Sequence, residues 1–455
     1  STGNRLGTMV YDDGDVTYID SKSKTQTAWS AAPNLLSRQL RSSSYNPLYY
    51  NPSIRYQPWL KADGTRYSNA NPSAAPVLAG ESLTQNLVGN QTVSNNRWYW
   101  SKSGFKASSS QTAHLARYYT MTGTGSSVSD FTLVKIESGK TYTKGVDRTD
   151  CAGSTCTYNE EIQNFANWYT YYRTRALTAI GGTAEAFGSV PSNYRVGYGS
   201  INSGSRTIDG VSTTTLRQGV RTFSGTPKDD FYTWLFSSTE PSGGTPLRQA
   251  MSDVGKYFSR KDNKGPWGAN PGTDDKSPQA ACRRNFHILM TDGKWNGNAA
   301  TESAARGNTD GTSSSTITGP DGQSFTYTAG PPYSDTWSNT LADVAMYYWK
   351  TDLRPDLDNI VQTVSADPVK GTAADPAFWQ HMVNFTIAFG VDGTLDNPGD
   401  LAALTAGTKA WPEATADSTE TVDDLWHAAI NSRGRALSAR NSAEYATALN
   451  SIIDQ

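Results

Sequence analysis

The stretch Arg284–Gly293 constrains this chain more than any other. Phe286 to Met290 is an apolar run that stops at Thr291-Asp292-Gly293, which reads as a buried strand delivering a carboxylate to a turn. Open α/β sheets gather their ligands at that carboxyl edge. Upstream, Gly243-Gly244-Thr245-Pro246-Leu247 opens an amphipathic helix carried by Leu247, Ala250, Met251, Val254 and Phe258. Pro246 falls in the first turn, where its missing N–H costs nothing. Thr245 and Asp292 are therefore the candidate metal-ligating pair, a hydroxyl at a helix mouth beside a carboxylate at a strand end. The plain alternative is that Thr245 only caps the helix and Asp292 only opens a turn with Gly293.

Strand and helix alternate around this stretch. Ile162, Phe165, Ala166, Tyr169, Tyr172, Ala176 and Ala179 keep helical spacing until Gly181-Gly182, where the helix is expected to stop. A strand over Tyr194–Ile201 and an edge strand over Gly219–Phe223 follow. Beyond the opening strand, a helix on Leu341, Val344, Ala345 and Tyr348 leads to a strand over Val383–Val391, which again ends in Asp-Gly. Helices over Val422–Ile430 and Ser442–Ile453 close the chain. Such alternation predicts an α/β core over residues 159–455 built on a doubly wound sheet. The Gly-, Asn- and Ser-rich stretch at about 296–332 reads as a surface insertion near the candidate metal edge.

Residues 1–158 are of another kind, an aromatic, loop- and hairpin-rich elaboration of that core. Short strands are expected at Thr8–Tyr11, Val16–Ile19 and Phe131–Ile136. The aromatics between proline turns, Tyr45 to Pro52 and Tyr56 to Trp59, are expected to pack this region down. Asp12-Asp13-Gly14-Asp15 is either a loose Ca²⁺ loop or a solvated turn, and the turn is favoured because an EF-hand's closing glutamate is missing.

Composition narrows the function. A formal net charge of −2 and the lack of a basic run give no case for nucleic acid. No apolar run is long enough to span a membrane. Of three cysteines, Cys151 and Cys156 bracket a short loop that a disulfide would close in an oxidising compartment, whereas Cys282 reads as a buried free thiol or the partner of one of them. Four histidines, none near a cysteine, disfavour zinc. No Gly-x-Ser-x-Gly elbow appears, and His287 inside its apolar strand reads as a hydrogen-bonded structural residue, so a binding protein is expected rather than an enzyme.

Gly-Gly-Thr-Pro-Leu before a helix, a strand ending Thr-Asp-Gly, and Tyr194-Arg195-Val196-Gly197-Tyr198 after a long helix together resemble the von Willebrand factor A domain. More narrowly, Asn46-Pro47-Leu48-Tyr49-Tyr50-Asn51-Pro52, Glu161-Ile162-Gln163-Asn164-Phe165-Ala166-Asn167-Trp168-Tyr169, Cys282-Arg283-Arg284-Asn285-Phe286 and Trp379-Gln380-His381-Met382 resemble the amino-terminal region of PilY1-type proteins, the tip-associated adhesins of type IV pili. The resemblance implies a von Willebrand A-like, Rossmann-like doubly wound sheet with large irregular and β insertions. It implies an extracellular place at the pilus tip or outer-membrane surface after export through the periplasm, and a role in pilus biogenesis and twitching motility. The implied partners are minor pilins, a host or surface ligand, and a carboxyl-terminal β-propeller of the same polypeptide. The family's adhesion site takes Mg²⁺, with Ca²⁺ the second candidate, on three loops. Thr245 and Asp292 match two of them, but the Asp-x-Ser-x-Ser loop does not occur in this sequence, so it either stands upstream of Ser1 or has been replaced. The rival expectation is a secreted carbohydrate-binding protein or glycoside hydrolase, suggested by the loop-borne tryptophans.

Overall fold

A computed structural model describes residues 16–19, 25–28, 33–93, 98–100, 103–105, 111–237, 243–291 and 293–453. The chain divides into two compact units, Ser1–Gly188 and Ser189–Gln455. The expected strand at Thr8–Tyr11, the Asp12–Asp15 turn and Asp292 lie outside the described residues.

In the first unit, helix α1 (Tyr158–Tyr171) organises an irregular stretch that has little secondary structure of its own. A capping box between Thr157 and Glu160 starts the helix, satisfying amide N–H groups that no helical carbonyl reaches. Short strands pair before it, Arg117–Met121 with Phe131–Lys135 and Thr141–Thr143 with Thr155–Thr157. The Cys151–Cys156 disulfide closes the loop that leads into the last of these. Ile162, Phe165, Ala166, Trp168 and Tyr169 are buried, and so are the helix's polar residues Glu161, Asn164, Asn167 and Thr170.

Those polar residues hold backbone that no ladder satisfies. Asn164 accepts from the Tyr56 N–H and donates to the Ile54 carbonyl, and Asn167 repeats the pattern with Ala70 and Tyr56. Thr170 donates to Pro76, the Trp168 indole to Leu48 and the Tyr171 hydroxyl to Ser68. Tyr49, Tyr50, Tyr56 and Trp59 are buried against this helix, as expected for the proline-punctuated aromatics.

The expected stop at Gly181-Gly182 is not where the helix ends. It breaks at Tyr172, and helix α2 (Arg175–Gly188) runs through both glycines. A Cβ on Gly181 would sit 2.6 Å from the Tyr172 ring and 2.9 Å from the Trp59 indole nitrogen. Here glycine serves close approach rather than termination.

The second unit is a mixed α/β arrangement of small sheets. Strands β1 (Arg195–Gly199) and β2 (Leu216–Thr222) pair antiparallel. Helices α3 (Thr226–Ser237) and α4 (Leu247–Phe258) follow, then β3 (Phe286–Thr291), helix α5 (Leu341–Lys350), β4 (Val383–Phe389), helix α6 (Glu420–Asn431), β5 (Ala436–Ala439) and helix α7 (Ser442–Ile453). β3, β4 and β5 form a parallel sheet in that order. Every residue of β4 is buried, the pattern of a strand covered on both faces. Leu247, Met251, Leu341, Val344, Tyr348, Leu425 and Ala428 share one core cluster, which joins α4, α5 and α6.

Three expectations need correction. The Asn296–Pro332 stretch is not simply a surface insertion: Ala300, Ala305, Asp310 and Tyr327 are buried, because a short 3₁₀ turn and a two-strand hairpin fold it back on α5. Cys282 is neither buried nor bridged but an exposed free thiol. Of the loop-borne tryptophans that suggested a sugar surface, Trp59, Trp267, Trp295 and Trp379 are core residues, all at most 2% exposed. Intact-mass measurement after alkylation without reductant is expected to show one labelled cysteine. Three labels would contradict the Cys151–Cys156 pairing.

Candidate functional site

The carboxyl edge of the parallel sheet gathers four loops. The Thr245 N–H donates to Asn296 Oδ1 at 2.7 Å, and the Asn296 N–H donates back to the Thr245 carbonyl at 3.0 Å. This reciprocal pair fixes the mouth of α4 to the loop that leaves β3. Asn296 Nδ2 donates to Asp417 Oδ1 at 2.7 Å, bringing in the segment before α6. Asn202, from the loop after β1, donates to the Gly244 carbonyl. At Gly244 an added Cβ would lie 2.6 Å from Asn296 Oδ1, and Gly243 has φ +95°, so both glycines of the Gly-Gly-Thr-Pro-Leu motif are needed for this junction.

Thr245 does not cap the helix. The N-cap position is Pro246, with no side-chain cap hydrogen bond. The reason is local: Pro246 has left the helical region (φ −79°, ψ 64°), and the Leu247 N–H bonds instead to the Thr245 carbonyl. The Thr245 hydroxyl is half-buried and makes no hydrogen bond among the described residues. In the loop that leaves β3, the Gly293 N–H donates to Thr291 Oγ1 at 3.2 Å.

A second polar group lies deeper in the same unit and was not foreseen. Asp310, Asp335 and His427 bring one ligand atom each within 4.8 Å of one another, the dimensions of a group that could hold a metal ion. His427 Nε2 donates to the Tyr333 carbonyl at 2.7 Å and stands 3.5 Å from Asp310, and Nδ1 stands 3.5 Å from Asp335. Trp411 stacks on the imidazole at 4.2 Å with an 8° interplanar angle. Asp310 also accepts from the Asp335 N–H and from Asn431 Nδ2.

The electrostatics follow from burial. Desolvation pushes the Asp310 carboxyl up to about 7, opposed by His427 and reinforced by Asp335 and Asp343. For His427, burial works downward, but Asp335, Asp310 and the Tyr333 carbonyl outweigh it and raise the imidazole above its ordinary value. Each ring nitrogen faces oxygen acceptors, which suits an imidazolium bridging two carboxylates. With Nε2–H committed to Tyr333, only Nδ1 has a lone pair to offer a cation. Nothing in the local sequence marks this group, since its members come from two loops and a helix. His287, in contrast, is the structural histidine expected, bonded through Nδ1 to Asn384 at 2.8 Å and pushed down to about 4 by burial.

The chain thus carries a mixed α/β unit with polar loops at the carboxyl edge of its parallel sheet, and a helix-organised aromatic unit. The chain belongs to the PilY1-type family. It is 34% identical over 445 residues to the type IV pilus biogenesis factor PilY1 of Pseudomonas aeruginosa strain PAK, covering 91% of this chain and 35% of the relative. The strain UCBPP-PA14 protein of the same name is 33% identical over 458 residues, 94% of this chain and 36% of the relative. The chain thus spans about a third of the length of these relatives. No family model matches it, and no solved structure does. Among the described residues no helix is long and apolar enough to cross a membrane.

Proposed function

We propose that this chain is the part of a type IV pilus biogenesis factor that binds a host, surface or protein partner, acting as a pilus-tip adhesin outside the cell. Binding runs through a von Willebrand A-like core, residues 159–455, elaborated by the aromatic residues 1–158. The ligand meets the carboxyl edge, where Thr245 and Asp292 contribute oxygen ligands to a Mg²⁺ ion whose octahedral shell is completed by water and a partner's carboxylate. Minor pilins and a carboxyl-terminal β-propeller of the complete polypeptide hold the assembly, and no catalytic step is involved. The observation that supports the reading is the reciprocal Thr245–Asn296 pair, which joins the mouth of α4 to the loop that leaves β3, while the Thr245 side chain is unused as a cap.

Titration calorimetry with MnCl₂ and MgCl₂ tests it. Divalent binding by the full-length protein is expected to be lost in Asp292→Ala and weakened at least tenfold in Thr245→Val, with the far-ultraviolet spectrum unchanged. An unaltered isotherm in Asp292→Ala, or no divalent binding at all, removes the metal-edge reading.

A further inference from the structure

The stretch that folds back on α5 leaves a cavity of about 550 Å³ against the last turn of that helix. Ser315 and Ile317 stand on one side of it, and Tyr347, Lys350, Thr351 and Asp352 on the other. The volume falls in the ~300–1,000 Å³ range of small-molecule sites, well above the ~30 Å³ that one water occupies in the liquid. Such sites are usually lined by apolar side chains. Here most of the lining side chains are polar, so an occupant has to bring hydrogen-bonding groups of its own.

Local contacts hold these polar groups without exhausting them. Lys350 Nζ donates to the Thr309 and Thr312 carbonyls, which leaves one of its three N–H groups over. Asp352 accepts from the Arg354 N–H at 3.0 Å and from Asn359 Nδ2 at 3.2 Å, one bond to each carboxylate oxygen, and a lone pair stays open on both. Asn359 Nδ2 also donates to the Thr318 carbonyl, so Asp352 is tied to the hairpin that forms the opposite wall. The Tyr347 ring stands edge-on against the buried Tyr348, with centroids 4.9 Å apart. The hydroxyls of Ser315, Tyr347 and Thr351 have no hydrogen-bond partner among the described residues. Groups fixed in this way lose little freedom when a ligand arrives.

The chemistry of the lining selects the class of ligand. One ammonium and one carboxylate face the cavity, so its charge cancels, and the ammonium also lies in the field of Asp310 and Asp343. An ion gains little from so balanced a lining, and an apolar molecule strands the open donors and acceptors. A neutral sugar meets both conditions. Its hydroxyls donate to Asp352 and accept from Lys350, while the C–H face of a pyranose lies flat on an aromatic ring.

We propose that this cavity is a binding site for a neutral oligosaccharide, with Lys350 and Asp352 bonding its hydroxyls and Tyr347 stacking on one sugar ring. None of its residues belongs to the Thr245–Asn296 junction, so the site stands apart from the metal-edge reading and either can fail alone.

A glycan array probed with the labelled full-length protein, followed by calorimetry with the oligosaccharide that it retains most strongly, tests the assignment. A neutral oligosaccharide is expected to bind, and its affinity is expected to fall at least about tenfold in Tyr347→Ala and in Asp352→Asn, which remove the stacking ring and the charged acceptor. Ser315→Trp fills the cavity from an exposed position whose hydroxyl holds nothing in place, and is expected to abolish binding with the melting temperature unchanged. It decides the matter where either other variant unfolds. Asp292→Ala and chelator are expected to leave the isotherm as it was. An array without a neutral hit, binding confined to acidic glycans, a neutral glycan whose affinity Ser315→Trp leaves intact, or an isotherm abolished by chelator overturns the proposal.

Discussion

Arg148→Met is expected to destabilise the first unit by about 3–5 kcal/mol, the usual cost of leaving one member of a buried ion pair without its partner. The Arg148 and Glu161 side chains are both 0% exposed, with Nη1 and Oε2 2.6 Å apart. The same guanidinium donates to the Pro52 carbonyl and pairs with Asp150, and Glu161 accepts from the Tyr50 hydroxyl at 2.8 Å. One charge pair therefore ties the irregular stretch, the disulfide loop and α1 together.

Burial already raises the Glu161 carboxyl even with Arg148 opposing it, so removing the arginine raises it further. The sign is fixed: a carboxylate whose folded pKa exceeds its unfolded value loses stability as pH rises through the folded value. Arg148→Met is thus expected to recover stability on going from pH 7 to pH 5. The double variant Arg148→Met/Glu161→Leu removes the orphaned charge and is expected to regain most of the loss at neutral pH. Urea midpoints at both pH values check this. Equal midpoints for the single and double variants at pH 7 would mean that the pair contributes through shape and not charge.

What could be read from the sequence depended on whether the responsible contacts were local. α4, α5, α6 and α7 follow from the spacing of their apolar residues, and β3 and β4 from short apolar runs that end at a turn. β5 was not legible: Ala436-Leu437-Ser438-Ala439 is short and built of small residues, and only its pairing with β4 makes it a strand. Helix α3 begins at Thr226-Pro227, where proline at the start of a helix is favourable although the dipeptide resembles a turn.

The candidate edge was half legible. The Gly-Gly-Thr-Pro-Leu motif marked the junction, but the partner that makes Thr245 useful is Asn296, in a stretch whose polarity suggested solvent. Asn164 and Asn167 lie within a helical spacing of apolar residues that carries no hint of their task. Those amides replace a β-ladder for backbone about a hundred residues away, a relation that exists only after folding.

The Asp310–His427–Asp335 group is where charge and burial conflict most, and its pH response separates the two chemistries it allows. His427→Leu leaves Asp310 and Asp335, each at most 6% exposed, without their shared partner and is expected to cost the second unit about 3–5 kcal/mol. In the unaltered protein the folded pKa of His427 lies above the unfolded 6.5, so its contribution is complete below 6.5 and is lost as pH rises through the folded value. Asp310, pushed up to about 7, acts in the same direction between its ordinary 3.8 and 7, because folding disfavours its ionised form. His287, held near 4, opposes both, but only below 6.5. The window above 6.5 therefore reads the bridging group with little interference from His287, and the melting temperature of the second unit is expected to fall as pH rises through it. Asp310→Asn/His427→Gln, which removes both titrating groups, is expected to flatten that slope. A bound metal ion would act the other way, since protons compete with the metal for imidazole and carboxylate ligands and stability would rise with pH until a chelator abolished it. A melting temperature that rises across the window and collapses with chelator would assign the group to a metal, while a falling one indifferent to chelator assigns it to the imidazolium bridge.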